Sequence, residues 1–191
     1  MAVHFASISY TNSSLMEKFV DNGTLGALYI LGSLFGIVFL IIAPFLLRKY
    51  GSVGIFSFFI SLEILAVFGM GSLSATLLLI LLFLIHLSAD SILYFCLDIN
   101  LEQEIKTEGT TGIKRGIMLA ISNMAWALSP LALVFFIAQN NFSKVYFLSG
   151  LALVPLLFIV LFFFKNTKKA TSTDSNILKA VRSLWTAGDN A

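Results

Sequence analysis

Polar and apolar residues fall in long blocks along this chain. Five apolar runs, at 25–47, 53–70, 73–97, 116–138 and 145–164, are separated by stretches that hold every charged residue except Glu63 and Asp90. Each run meets the length of about 17–25 residues that a helix needs to cross a bilayer, roughly twice what a barrel strand needs. A spanning segment must satisfy its own backbone hydrogen bonds in lipid, so these runs predict transmembrane helices. The expected fold is an all-α membrane protein with a five-helix transmembrane bundle over 25–164. Residues 1–24 would lie ahead of it on the extracytoplasmic side, and 165–191 would follow as a polar tail.

Composition agrees. The chain is 58% apolar and only 12% charged, with mean hydropathy +0.94. A soluble domain has about 25% charged residues, so too few charges remain to cover a water-facing surface. A net charge of +2 gives no basic face for nucleic acid. The single cysteine, Cys96, sits inside an apolar run as a packing residue, and the sequence shows no cluster with metal-ligand spacing. No cofactor is expected. Residues 1–14 lack the basic start and apolar core of a signal peptide.

Basic residues set the expected orientation. Arg48, Lys49, Lys106, Lys114, Arg115, Lys165, Lys168, Lys169, Lys179 and Arg182 follow the odd-numbered runs, while only Lys18 and Lys144 fall on the other side. The first group is therefore placed in the cytoplasm, with the N-terminus outside and the C-terminus inside a cell (inner) membrane. Nothing ahead of the first run would carry an N-terminus across. The expectation is thus a partial chain, with residues 1–10 forming the outer end of a further helix. In the tail, 175–185 (SNILKAVRSLW) has an apolar face with Lys179 and Arg182 off it. It reads as an amphipathic helix in a linker near the membrane.

His86, Asp90 and Tyr94 follow one another at helical spacing on one stripe of the third run. Ionisable groups at membrane depth cost roughly 2.5–3.5 kcal/mol each on insertion scales and mark functional sites by default. His86 and Asp90 could pair along the helix, and a carboxyl there suits proton-coupled transport; an interhelical packing pair is the plain alternative. Asn123 and Trp126 share a face of the fourth run with Pro130, which should kink it; this face would suit a cavity wall, and for Ser122 and Ser129 packing glue is an equally good account. Glu63, in the second run with only Ser61 nearby, reads as a protonated side chain bonded to a neighbouring helix. Asp98, Glu102 and Glu104 at one helix end, and Lys114 and Arg115 at the next, could form a cytoplasmic latch with Asp98 partly buried; solvated helix ends are the alternative. Gly32 and Gly36 form a small-xxx-small pattern for close helix contact. Three N-x-S/T triplets, at Asn12, Asn22 and Asn141, are at chance level. No nucleophile triad or phosphate loop points to an enzyme.

Two segments resemble the major facilitator superfamily of transporters. PFLLRKYG (44–51) is similar to the family's loop between helices two and three, although Arg48 stands where an acidic residue is expected. TGIKRGIMLAISNMAWALSP (111–130) looks like its passage from helix four into helix five. The resemblance covers roughly 13–169 and implies helices two to six of the N-terminal half. It implies alternating access by two rocking halves with a small solute bound near the midplane, and a second half downstream. It would make 73–97 a cavity-lining helix four and place Glu63 on an outer helix. A multi-pass scaffold or accessory subunit is the competing expectation.

Overall fold

The computed structural model describes residues 1–104, 108–137 and 142–164. The tail helix expected at 175–185, and with it Lys106, Asn141 and the basic residues from Lys165 onward, lie outside the described residues.

Every regular element among the described residues is an α-helix: α1 (Ala2–Ser9), α2 (Asn12–Met16), α3 (Asn22–Ser72), α4 (Thr76–Glu104), α5 (Glu108–Ile137) and α6 (Phe142–Phe163). Four of them, α3 to α6, are long and apolar enough to cross a membrane. Large apolar side chains stay exposed along them, such as Leu77 and Phe163. Such surfaces are unfavourable in water and natural in lipid.

Helix α3 holds 51 residues, which at 1.5 Å each would reach about 77 Å if straight, against roughly 30 Å of hydrocarbon. It does not run straight. Gly51 leaves the helical region with φ 78° and ψ 165°, a conformation almost confined to glycine. Beyond it the chain folds back, so that Phe39 and Phe59 meet with ring centroids 5.4 Å apart. The arms 22–50 and 52–72 correspond to the first two apolar runs.

Register against α4 gives the same answer. A Cβ added at Gly32 would stand 2.6 Å from the Cβ of Leu87, and one at Gly36 would stand 2.8 Å from Ser91 Oγ; the first arm therefore runs parallel to α4. Gly69 faces Leu82 and Glu63 faces His86, so the second arm runs antiparallel to it. Gly32 and Gly36 thus serve as expected, removing the side chains that would hold the first arm away from α4. Helix α6 lies antiparallel to the second arm, with Gly71 against Tyr146 and Gly150 against Phe68.

The start of α3 is capped by Asp21, whose Oδ1 accepts from the backbone nitrogens of Gly23 (2.9 Å) and Thr24 (3.0 Å). Those two amides would otherwise lack partners. Helix α4 carries on past its apolar run through DINLEQE, whose leucine, glutamine and glutamates favour helix. The polar connection expected over 98–115 is consequently mostly helical.

Residues 1–16 do not lie outside the bundle. Helix α1 packs on α5 and α6, with His4, Phe5, Ala6 and Ile8 buried. Phe5 joins Ile60, Ile92 and Leu153 in one apolar cluster. Ile8, Leu15 and Met16 join Met70, Phe83 and Tyr146 in a second, nearer the Asp21 end.

Candidate functional site

Between these two apolar clusters lies a polar one. Its centre is Glu63, wholly buried in the second arm of α3. Its Oε1 accepts from His4 Nε2 of α1 at 3.0 Å and from His86 Nδ1 of α4 at 2.5 Å. Its Oε2 is buried without a hydrogen-bond partner.

Each imidazole is held on its far side. Ser149 Oγ of α6 lies 2.7 Å from His4 Nδ1 and also reaches the His4 carbonyl at 3.2 Å. Its one hydroxyl proton can go to either atom, so Ser149 can serve His4 Nδ1 as donor or as acceptor. Asn12 Nδ2 donates to His86 Nε2 at 3.1 Å, and Tyr146 donates its hydroxyl to Asn12 Oδ1 at 2.9 Å. With that amide orientation His86 carries its proton on Nδ1, facing Glu63. Turning the amide over would present Oδ1 to His86 and allow a proton on Nε2 instead. The cluster therefore has a matched hydrogen-bond partner for more than one proton arrangement at each histidine.

Asp90 is not paired with His86. Both ring nitrogens of His86 are taken by Glu63 and Asn12, so the expected bond along the helix gives way to contacts across helices. Asp90 is partly buried, with Oδ1 lacking a partner. Tyr94, one turn further, is 37% exposed and stacks on Phe5 at 5.0 Å. It borders a cavity of about 440 Å³ whose lining also includes Met118, Ser122 and Leu156. The stripe His86–Asp90–Tyr94 thus leads from the buried cluster to an apolar-walled cleft between α4, α5 and α6.

The other residues singled out in the sequence stand apart. Asn123 is exposed on α5. Trp126 is partly buried, edge-on to Tyr10 at 5.8 Å. Pro130 lies inside an uninterrupted α5. It has no N–H for the carbonyl of Trp126 one turn earlier, and the Tyr10 hydroxyl reaches that carbonyl at 3.5 Å. At the opposite end Arg115 and Asp98 form an ion pair at 3.4 Å with side chains 42% and 53% exposed. Asp98 is therefore not partly buried as expected, and an exposed pair contributes roughly 0–1 kcal/mol. Glu102 is exposed, and Lys114, also exposed, takes part in an interaction of its own.

No sequence pattern marks His4 or Asn12 as site residues, whereas Glu63, expected to bond to a neighbouring helix, does so, to His86 of α4 and also to His4 of α1. The three cluster residues of 1–24 and α3 find their partners 59, 74 and 23 positions away, so no local spacing reveals them. The signal that was present is compositional: a histidine and an asparagine within an N-terminal stretch that buries Phe5, Ile8 and Met16.

Searches of family models, curated proteins and solved structures find no match to this chain.

Proposed function

We propose that this chain belongs to a secondary transporter of the major facilitator type, which moves a small solute by alternating access. The carrying observation is the convergence of ionisable and polar groups from five helices, with two carboxylate oxygens, on Glu63 and Asp90, left without partners. Polar groups that serve packing alone are normally satisfied. Unfilled acceptors in a membrane interior are what a site for a travelling ion or proton needs.

In this reading the α3 arms, α4, α5 and α6 are five crossings, and α1 with α2 occupies the place of the crossing ahead of them. The Arg48–Lys49 end is cytoplasmic and the Asp21 end faces outside. Helix α5 exposes most of its surface, including Asn123, and would face the opposite half of the transporter. Asp90, between the sealed cluster and the cleft at Tyr94, is the carboxyl assigned to proton coupling. Asp98, Glu102, Lys114 and Arg115 mark the cytoplasmic rim, where the Asp98–Arg115 pair opens at little cost.

The near-complete burial of His4, Glu63 and His86 favours a second reading, a membrane scaffold or accessory subunit whose cluster holds helices together. Uptake of a panel of solutes into cells under an imposed pH gradient separates the two. Asp90→Asn in the full-length protein should keep expression and abolish the pH dependence of uptake. Gradient-dependent uptake that is indifferent to the substitution would remove proton coupling through Asp90. No uptake of any solute, with a correctly inserted protein, would favour the scaffold.

A further inference from the structure

We propose that His4, Glu63 and His86 form an interior binding site for a divalent transition metal of the Zn²⁺ class. The donors are His4 Nε2, a Glu63 carboxylate oxygen and His86 Nδ1, and these atoms all lie within 4.8 Å of one another. Two imidazoles and one carboxylate make a donor set that Zn²⁺ and its neighbours favour over Mg²⁺ or Ca²⁺, which prefer all-oxygen shells. Metal–ligand bonds of about 2.0–2.2 Å place neighbouring donors roughly 3.3 Å apart in a tetrahedral site. To reach that spacing the contacts of 3.0 and 2.5 Å onto Glu63 Oε1 open slightly, and the two imidazole nitrogens, within 4.8 Å of each other, draw together.

The second observation is Glu63 Oε2, wholly buried and unpartnered. It can take a share of the ion that Oε1 alone could not, and three protein side chains leave a further position open. Open positions distinguish sites that exchange a ligand from closed structural ones.

The outer contacts fit as well. A histidine bound through one nitrogen must hold its proton on the other, and that N–H needs an acceptor. With the metal on His4 Nε2, Nδ1–H donates to Ser149 Oγ, and the Ser149 hydroxyl donates a hydrogen bond to the His4 carbonyl 3.2 Å away. With the metal on His86 Nδ1, Nε2–H requires Asn12 to turn its amide so that Oδ1 accepts. Asn12 Nδ2 then donates to the Tyr146 hydroxyl oxygen. Neutral imidazoles need only shift a proton from one nitrogen to the other; a charged one releases a proton as the ion binds.

This site stands whether or not the protein transports, and its test is separate from uptake. The full chain, purified in detergent, is titrated with Zn²⁺ against a chromophoric indicator and with Co²⁺ by visible absorption, with Mg²⁺ as control. The expected result is one Zn²⁺ per chain, an intense Co²⁺ band that Zn²⁺ displaces, and indifference to Mg²⁺. His4→Ala and His86→Gln should abolish binding. Ser149→Ala, which keeps all three donors, should weaken it by about 10–100-fold. Asn12→Asp, which supplies a permanent acceptor to His86, should keep or strengthen it. A folded wild-type protein that binds Zn²⁺ no better than folded His4→Ala, or that takes Mg²⁺ equally well, overturns the proposal. If a donor variant fails to fold, Ser149→Ala and the Co²⁺ spectrum of the wild type decide. An unchanged Asp90→Asn uptake profile would leave this result untouched, and absence of Zn²⁺ binding would leave the uptake experiment untouched.

Discussion

Glu63 and His86 face each other across the second arm of α3 and α4, joined by a 2.5 Å hydrogen bond with neither side chain reaching the surface. Removing one member strands the other, and breaking a buried pair in this way costs about 3–5 kcal/mol. His86→Leu is therefore expected to lower the unfolding midpoint of the detergent-purified protein strongly. Glu63→Gln keeps an acceptor and adds a donor, and should cost clearly less. Equal losses for the two substitutions, measured by thermal unfolding, would mean that shape rather than hydrogen bonding matters here.

The reversal at Gly51 predicts proximity that a straight helix forbids. In a Cys96→Ser background, cysteines replacing Phe39 and Phe59, whose rings meet at 5.4 Å, should be joined by a short bifunctional thiol reagent. Twenty residues along one unbroken helix would hold them about 30 Å apart, and no cross-link would form. Gly51→Val should cost roughly 1–3 kcal/mol, because a β-branched residue resists that backbone conformation.

Close contact between the first arm and α4 rests on Gly36. Gly36→Ala sets a methyl 2.8 Å from Ser91 Oγ, an atom that can turn aside, so the loss should fall at or below the low end of the about 1–3 kcal/mol typical of overpacking. Combining it with Ser91→Gly should recover most of the loss. A double variant no more stable than Gly36→Ala would show that the crowding lies elsewhere.

Asp21 supplies a pH dependence outside the membrane spans. Its hydrogen bonds from Thr24 and Gly23 hold its carboxyl below the ordinary carboxylate range. The capping contribution is thus fully present above the unfolded carboxylate value and is lost as pH falls through the lower folded value. Thermal midpoints recorded from neutral to strongly acidic pH should decline in that window. The part of the decline due to the cap should be missing in Asp21→Asn.

The helices were legible because hydrophobic length is a local property: 25–47 and 53–70 stand out with no knowledge of their neighbours. Even the fold-back could be placed, since Arg48, Lys49 and Gly51 interrupt what is otherwise one apolar stretch. Polar partners were not legible. Helical spacing suggested that His86 would turn to Asp90 one turn away, but a neighbouring helix brings Glu63 closer and buries it more deeply. His4 and Asn12 lie in helices of 8 and 5 residues, too short for any span criterion to notice. Asp98 was expected to gain cover from the next helix; α4 instead projects beyond its apolar run and carries Asp98 into the open.

The cluster also orders events in time. Glu63 and His86 are synthesised 23 residues apart and can pair as soon as α4 joins the second arm of α3. Tyr146 and Ser149 emerge much later, and until then Asn12 and His4 lack their outer partners. His4 and Asn12 therefore gain their full set of partners only in a chain that already includes α6. The site in the middle of the protein is complete only when α6 is in place, so the first and last helices of the described chain are tied together through it.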